Sequence, residues 1–265
     1  MHPFNVRVGV KTEPVPDVPA LVMKGEENWL CVADLHLGIE AQLRHAGFNI
    51  PSQAPKMLAS LETLSTYAQK LLILGDVKHR IPVVSRREDK EIPPFLARLM
   101  ERYKEILIVA GNHDGGLESI LPPEVRAVSG AGIRIENAGA FHGHIWPSQE
   151  VMGADLLLMG HIHPSVALAD SLGTKSNEKC WLKGKLKHKA VLNRFKHCPS
   201  ELIIIPAFNP LLTGTPINST TGTKFGPMFR NDLVDQRSLE AYLLDGTNLG
   251  VPARVKMRPW PEDDV

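Results

Sequence analysis

Five polar clusters hold the residue types that bind metals and move protons: Asp34-x-His36, Gly75-Asp76, Gly111-Asn112-His113-Asp114, His142-Gly143-His144 and Gly160-His161-x-His163. Imidazole and carboxylate donors without a thiolate suit Mn, Fe, Ni or Zn rather than Ca or a structural zinc. In a short extended segment leaving a strand, residues i and i+2 face the same way. Asp34 with His36, and His161 with His163, would then each present two donors to one pocket. A single carboxylate such as Asp76 can bridge two ions about 3.5–4 Å apart, the spacing at which a metal pair clamps both the attacking and the leaving oxygen of a phosphoryl transfer. One such cluster alone is ordinary turn chemistry, since Asp, Asn and Gly form turns, but five in order are not.

The elements that must position these clusters are legible around them. Residues 29–33, 71–74, 106–110 and 155–159 are short apolar runs that stop abruptly at a polar group, the pattern of buried strands. Between them, residues 51–70 and 93–104 place Leu58, Leu61, Leu64 and Ala68, and Leu96, Leu99, Met100 and Tyr103, on helical stripes. Strand and helix in alternation predict an α/β layered fold, whose ligand crevice lies at the carboxyl ends of the strands, where the clusters fall. Further strands are expected at 201–208, 239–244 and 253–257.

With 265 residues, 43% apolar and 22% charged, the chain has the composition of a globular protein and is expected to form one domain over 1–265. A net charge of +1 excludes a strong overall pull on nucleic acid or anionic membrane. Residues 171–200 are the exception: eight basic residues stand against Glu178 alone, giving +7 locally and leaving −6 for the rest of the chain. This stretch reads as a basic insertion. The first residues lack a secretory pattern and no apolar stretch is long enough to span a membrane, so a cytoplasmic location is expected. Three cysteines, Cys31, Cys180 and Cys198, without C-x-x-C spacing argue against disulfides or structural zinc.

The series D-x-H, G-D, G-N-H-D, H-G and G-H-x-H, complete and in order over residues 34 to 163, closely resembles the calcineurin-like metallophosphoesterases. Asp34-Leu35-His36-Leu37-Gly38, Gly75-Asp76-Val77-Lys78-His79, Gly160-His161-Ile162-His163-Pro164 and Pro206-Ala207-Phe208-Asn209-Pro210 extend the resemblance to the archaeal SbcD-related and bacterial DNA-ligase-associated phosphoesterases. The resemblance implies a four-layer α-β-β-α sandwich, two central mixed β-sheets flanked by helices. It implies two divalent transition-metal ions, Mn2+ foremost: Asp34, His36, Asp76 and His163 on one, and Asp76, Asn112, His142 and His161 on the other. A metal-activated hydroxide would attack phosphorus in line, His113 would protonate the leaving oxygen or stabilise the transition state, and Asp114 would orient His113. Pairing into a homodimer and a separate ATPase or helicase partner are also implied, though no heptad or attached arm in the sequence speaks for either.

The reaction expected is therefore phosphodiester hydrolysis, with DNA or RNA as one substrate class. Small nucleotides or phosphomonoesters are the alternative, and a catalytically silent scaffold a third reading that the full ligand set disfavours. His79 and His144 are candidates for substrate contact; otherwise His79 is a solvated loop residue, and His144 either a donor behind a ligand or simply exposed. Lys183, Lys185, Lys187 and Lys189 read either as a phosphate-backbone track or as a solvated charge run, with Trp181 and Phe195 either stacking on bases or pinning the segment to the core. His2, His45, His188 and His197 are expected at the surface.

Overall fold

A computed structural model describes residues 10–169, 174–218, 225–252 and 255. The strands are β1 (Lys11–Pro14), β2 (Leu21–Lys24), β3 (Trp29–Val32), β4 (Lys70–Leu74), β5 (Glu105–Val109), β6 (Arg126–Val128), β7 (Ile133–Ile135), β8 (Ala138–Phe141), β9 (Leu156–Met159), β10 (Pro164–Ala169), β11 (Lys175–Leu186), β12 (Glu201–Ile204), β13 (Thr215–Pro216), β14 (Val234–Leu243) and β15 (Asn248–Gly250). The helices are α1 (Ile39–His45), α2 (Ala54–Leu64), α3 (Arg86–Met100), α4 (Gln149–Met152), α5 (His188–Leu192) and α6 (Gly226–Arg230).

β1 to β6 form one sheet in chain order, antiparallel through β3 and parallel from β3 onward. The second sheet runs β13-β10-β11-β12-β9-β8-β7, with β14 also on β11 and β15 on β14. Its β8, β9 and β12 are parallel and end level, Phe141 and Ile204 both facing Met159.

Alternation along the strands decides the layers. Leu30, Val32, Leu71, Ile73, Ile106 and Ile108 turn outward onto Met57 and Leu61 of α2 and Ile92, Leu96 and Leu99 of α3. Cys31, Leu72, Leu74, Leu107 and Val109 turn the other way and meet Ala140, Leu156, Leu158, Trp181 and Ile203, forming the core between the sheets. Phe141, Leu157, Met159, Leu202 and Ile204 then bury Val151 of α4, Val191 of α5 and Met228 of α6. The result is the four-layer sandwich with two mixed sheets.

Two expectations change. The second predicted helix begins not at 93 but at Arg86: Ser85 Oγ accepts from Glu88 N at 3.2 Å while Glu88 Oε2 accepts from Ser85 N at 2.7 Å, a capping box that starts the helix before Pro93 and Pro94. The basic stretch is not an excursion, because Lys175–Leu186 is β11, paired with β10, β12 and β14 at the centre of the second sheet. Lys179, Lys183 and Lys185 alternate with the buried Cys180, Leu182, Gly184 and Leu186, so a charge run there is also a strand pattern; Trp181 and Phe195 are buried in the cores. Of the expected strand at 253–257, all but Val255 lies outside the described residues. Cys31, Cys180 and Cys198 are free thiols, and no helix among the described residues is long and apolar enough to cross a membrane.

Candidate metal centre

Each cluster occupies the loop that leaves a parallel strand. Asp34 and His36 follow β3, Asp76 follows β4, Asn112 follows β5, His142 follows β8, and His161 and His163 follow β9. Because the two sheets pack face to face, residues up to 129 positions apart in sequence converge at one site, where Asp34, His36, Asp76 and His142 are buried, His161 and His163 half-buried and Asn112 exposed. One donor atom from each of Asp34, His36, Asp76 and His163 lies within 4.8 Å of the others, and the same holds for Asp76, His142 and His161. Asp76 belongs to both groups. Asn112 joins the second, its Oδ1 3.2 Å from His142 Nε2.

The loops are not extended, which corrects the local geometry inferred from spacing. Asp34 (φ 58°), His36 (41°), Asp76 (51°), His161 (72°) and His163 (43°) are all left-handed, five of the eight non-glycine residues so found among those described. Single left-handed residues are strained, and such strain concentrates at functional sites. Curling the loop sends Asp34 and His36 to the same group but divides His161 from His163. Two glycines make room: a Cβ on Gly111 would sit 2.1 Å from Asp76 Oδ1, and one on Gly75 2.2 Å from His142 Nδ1.

Backbone and neighbours fix the donors. His142 Nδ1 donates to Leu74 O at 2.8 Å, turning Nε2 to Asp76 Oδ2 at 3.4 Å. His79 Nε2 donates to Gln42 Oε1 at 2.7 Å, so its Nδ1 accepts from His36 Nδ1 at 3.2 Å, which leaves the lone pair of His36 Nε2 facing Asp76 Oδ2 at 3.4 Å. Both ring nitrogens of His79, a residue singled out for substrate contact, are thus taken up inside the protein. Its carbonyl accepts from His113 Nδ1, which turns His113 Nε2 towards Asp76 Oδ2 at 4.0 Å. Asp114 does not meet the His113 ring; it accepts from Gly111 N at 2.8 Å and Lys78 N at 3.2 Å, tying two loops together. His144 stacks edgewise on His142, ring centres 5.2 Å apart, behind the second group.

Sequence reasoning did not find Gln42, nor the role of the late Pro206–Pro210 segment. Phe208 N donates to Ala33 O and Asn209 Nδ2 to Leu35 O, at 2.8 and 2.7 Å, holding the Asp34-x-His36 turn from beneath. Lys179 Nζ in turn donates to Ala207 O and Asn209 O at 2.7 and 2.6 Å, and burial brings its ammonium down to about 8.

The electrostatics of the pocket call for cations. Asp34 and Asp76 are 0% and 2% exposed, and among the described residues no Lys or Arg pairs with either. Burial pushes both carboxyls up, but His163 holds Asp34, and His142 holds Asp76, below the usual carboxylate range. Conversely, burial works to discharge His142, yet Asp76 and Asp34 raise it to about 9; His163 is raised by Asp34 in the same way. Burial leads in taking His36 down to about 3, and His161 and His144 to about 4. The two buried carboxylates thus favour positive charge at His142 and His163, the charge that metal ions would supply. His36 Nε2 and His163 Nε2 are buried without a hydrogen-bond partner, as metal-directed donors are. The donor set therefore fits two divalent first-row ions, with Asp76 a member of both donor groups.

The four lysines read as either a track or a solvated run divide. Lys183 pairs with Glu201 at 2.8 Å and Lys187 with Asp232 at 2.6 Å, while Lys185 and Lys189 are exposed.

No protein-family model and no curated protein matches the chain. Among solved structures, a nuclease MPE from Pseudomonas putida aligns over 89% of this chain and 98% of its own, at 18% identity and a TM-score of 0.50. Yfce, a phosphoesterase from E. coli, aligns over 84% and 96%, also at 18% identity, with a TM-score of 0.38, below the level at which a shared fold follows. At this identity the likeness to the nuclease is one of fold.

Proposed function

We propose that the chain is a binuclear, divalent-metal-dependent phosphoesterase that hydrolyses phosphodiester bonds, with nucleic acid among its substrates and the whole chain acting as one unit. The observation that carries this reading is the pair of donor groups sharing Asp76. Asp34, His36, Asp76 and His163 would hold one ion, and Asp76, Asn112, His142 and His161 the other. Bound there, two divalent ions supply positive charge to a phosphoester and acidify water. The protein's own part is to keep every donor aimed: Leu74 O and His79 set the tautomers of His142 and His36, and Asn209 props the turn that bears Asp34. His113 Nε2 is the atom at which a proton is held for the leaving oxygen, its ring steered by His79 O.

The test is to strip the protein of metal, add back Mn, Ni, Zn or Mg singly, and assay a chromogenic diester, a monoester and single- and double-stranded DNA at two salt concentrations. Metal-restored diester hydrolysis is expected, with two ions bound per chain by titration. Silence with every metal overturns the reading. Diester hydrolysis without DNA cleavage keeps the chemistry and moves the substrate to small nucleotides.

A further inference from the structure

A second cavity, of about 850 Å3, opens beside the metal centre. It shares His79 and His113 with the site, so it borders the ring assigned above to the leaving-group proton. One wall is the segment from His79 to the start of α3, which contributes Arg80, Arg86 and Arg87. The acid in that wall, Glu88, is 1% exposed and fully occupied: Oε1 accepts from His79 N and Arg80 N at 3.0 and 2.7 Å, and Oε2 from Ser85 N. Arg87 leans on Glu91, with Nε 3.7 Å from Oε2. Arg80 and Arg86 have no acidic or hydrogen-bonding side-chain partner among the described residues, and both are exposed. Two free guanidiniums in a concave site are suited to an oxyanion that accepts two hydrogen bonds at once. Beside them Ile81 and Val83 are 52% and 62% exposed, an apolar surface against which a sugar or base can lie.

From this we infer that the cavity is a subsite for a second phosphate, held by Arg80 and Arg86, on the leaving-group side of the substrate. The inference rests on the phosphoesterase reading for the position of the scissile bond. It adds that the preferred substrates carry two phosphates joined by a sugar or a phosphoanhydride.

Binding tests it without turnover. On the Mn-loaded full chain, calorimetry with thymidine 3′,5′-bisphosphate and thymidine 5′-monophosphate should show the bisphosphate bound at least about tenfold more tightly. R80A/R86A should erase that advantage and R80K/R86K keep part of it. No advantage in the wild type, or one that survives R80A/R86A, overturns the inference. Turnover then identifies the source of the phosphate. TpTp against TpT probes a nucleic-acid strand, and ADP against AMP a nucleoside polyphosphate. In whichever pair the wild type favours the longer member, R80A/R86A should lower the kcat/KM ratio by about 100-fold. A fall common to both members of a pair marks a structural role and also overturns it. Should no phosphoester be cleaved with any metal, the reading under Proposed function fails, while the bisphosphate titration still decides the subsite.

Discussion

The lysines of β11 and the arginines between β4 and α3 are two basic stretches with opposite fates. Lys179 is half-buried and bonded to backbone carbonyls, Lys183 lies against Glu201 and Lys187 against Asp232, so much of the charge that stands out in the sequence is engaged within the second sheet. Among the described residues Arg80 and Arg86 make no such pairs, and they line a cavity that reaches His113. A tally of charge along a chain therefore says little about where a phosphate will meet it. What matters is whether each cation already has a partner, and that is decided by which strand or loop carries it.

Four substitutions sharpen or break this contrast. Asp76→Asn sets the floor: it should remove one ion from a metal titration and lower turnover on the order of 10^4-fold, leaving neither basic stretch anything to act on. Normal activity there would exclude Asp76 from the mechanism. Next, His113→Ala should spare metal occupancy and slow the reaction by about 10^3-fold, more for poor leaving groups than for good ones. An equal loss across a leaving-group series argues against proton transfer at Nε2. Removing the Arg80 and Arg86 guanidiniums should act only through the second phosphate, at about 10^2-fold. Smallest is the fourfold change of Lys183, Lys185, Lys187 and Lys189 to Gln, expected to alter DNA cleavage by less than about threefold and to cost about 1 kcal/mol of stability or less from the lost pairs. If the lysine variant instead loses DNA cleavage and the arginine variant does not, the comparison is reversed and the track reading of the basic stretch returns.

How much of this was legible depends on what kind of signal each residue leaves. Strands β3, β4, β5 and β9 end where an apolar run stops, and the residues that follow them are those the motifs name, so the convergence of Asp34, Asp76, Asn112 and His161 could be read directly. The fold class follows from the same rhythm. β11 was obscured because alternating lysines look like a solvated run until their buried neighbours are counted. The early start of α3 is written in Ser85-x-x-Glu88, a capping signal that a reading by apolar stripe alone, starting at 93, does not use. Gln42 left no signal, Lys179 stood out only as one charge of the basic stretch, and Asn209 only as part of the Pro206–Pro210 motif, none with a role attached. Each is a single polar residue that matters through a backbone carbonyl or a ring nitrogen supplied by a distant segment, and no spacing rule encodes that.

Each donor group draws on both sheets: Asp34, His36 and Asp76 come from the first, His142, His161 and His163 from the second. An ion in either group is consequently a rivet across the seam between them, and its binding energy is also energy against parting the sandwich. At about 100 times the dissociation constant a single ion adds roughly 2.7 kcal/mol, so Tm should climb with metal concentration and fall with chelator. Without ions the rivets are protons and work only within limits. His142, raised to about 9, lends stability that is lost as pH rises through that value. His36, His144 and His161, held neutral below their ordinary 6.5, withdraw theirs as pH drops from 6.5 through about 4. Thermal melts of the chelated protein should peak between those bounds. The unriveted seam is then where a protease gains entry, so the survival time of this protein would track the metal supply around it, and digestion with and without chelator at neutral pH would measure that dependence.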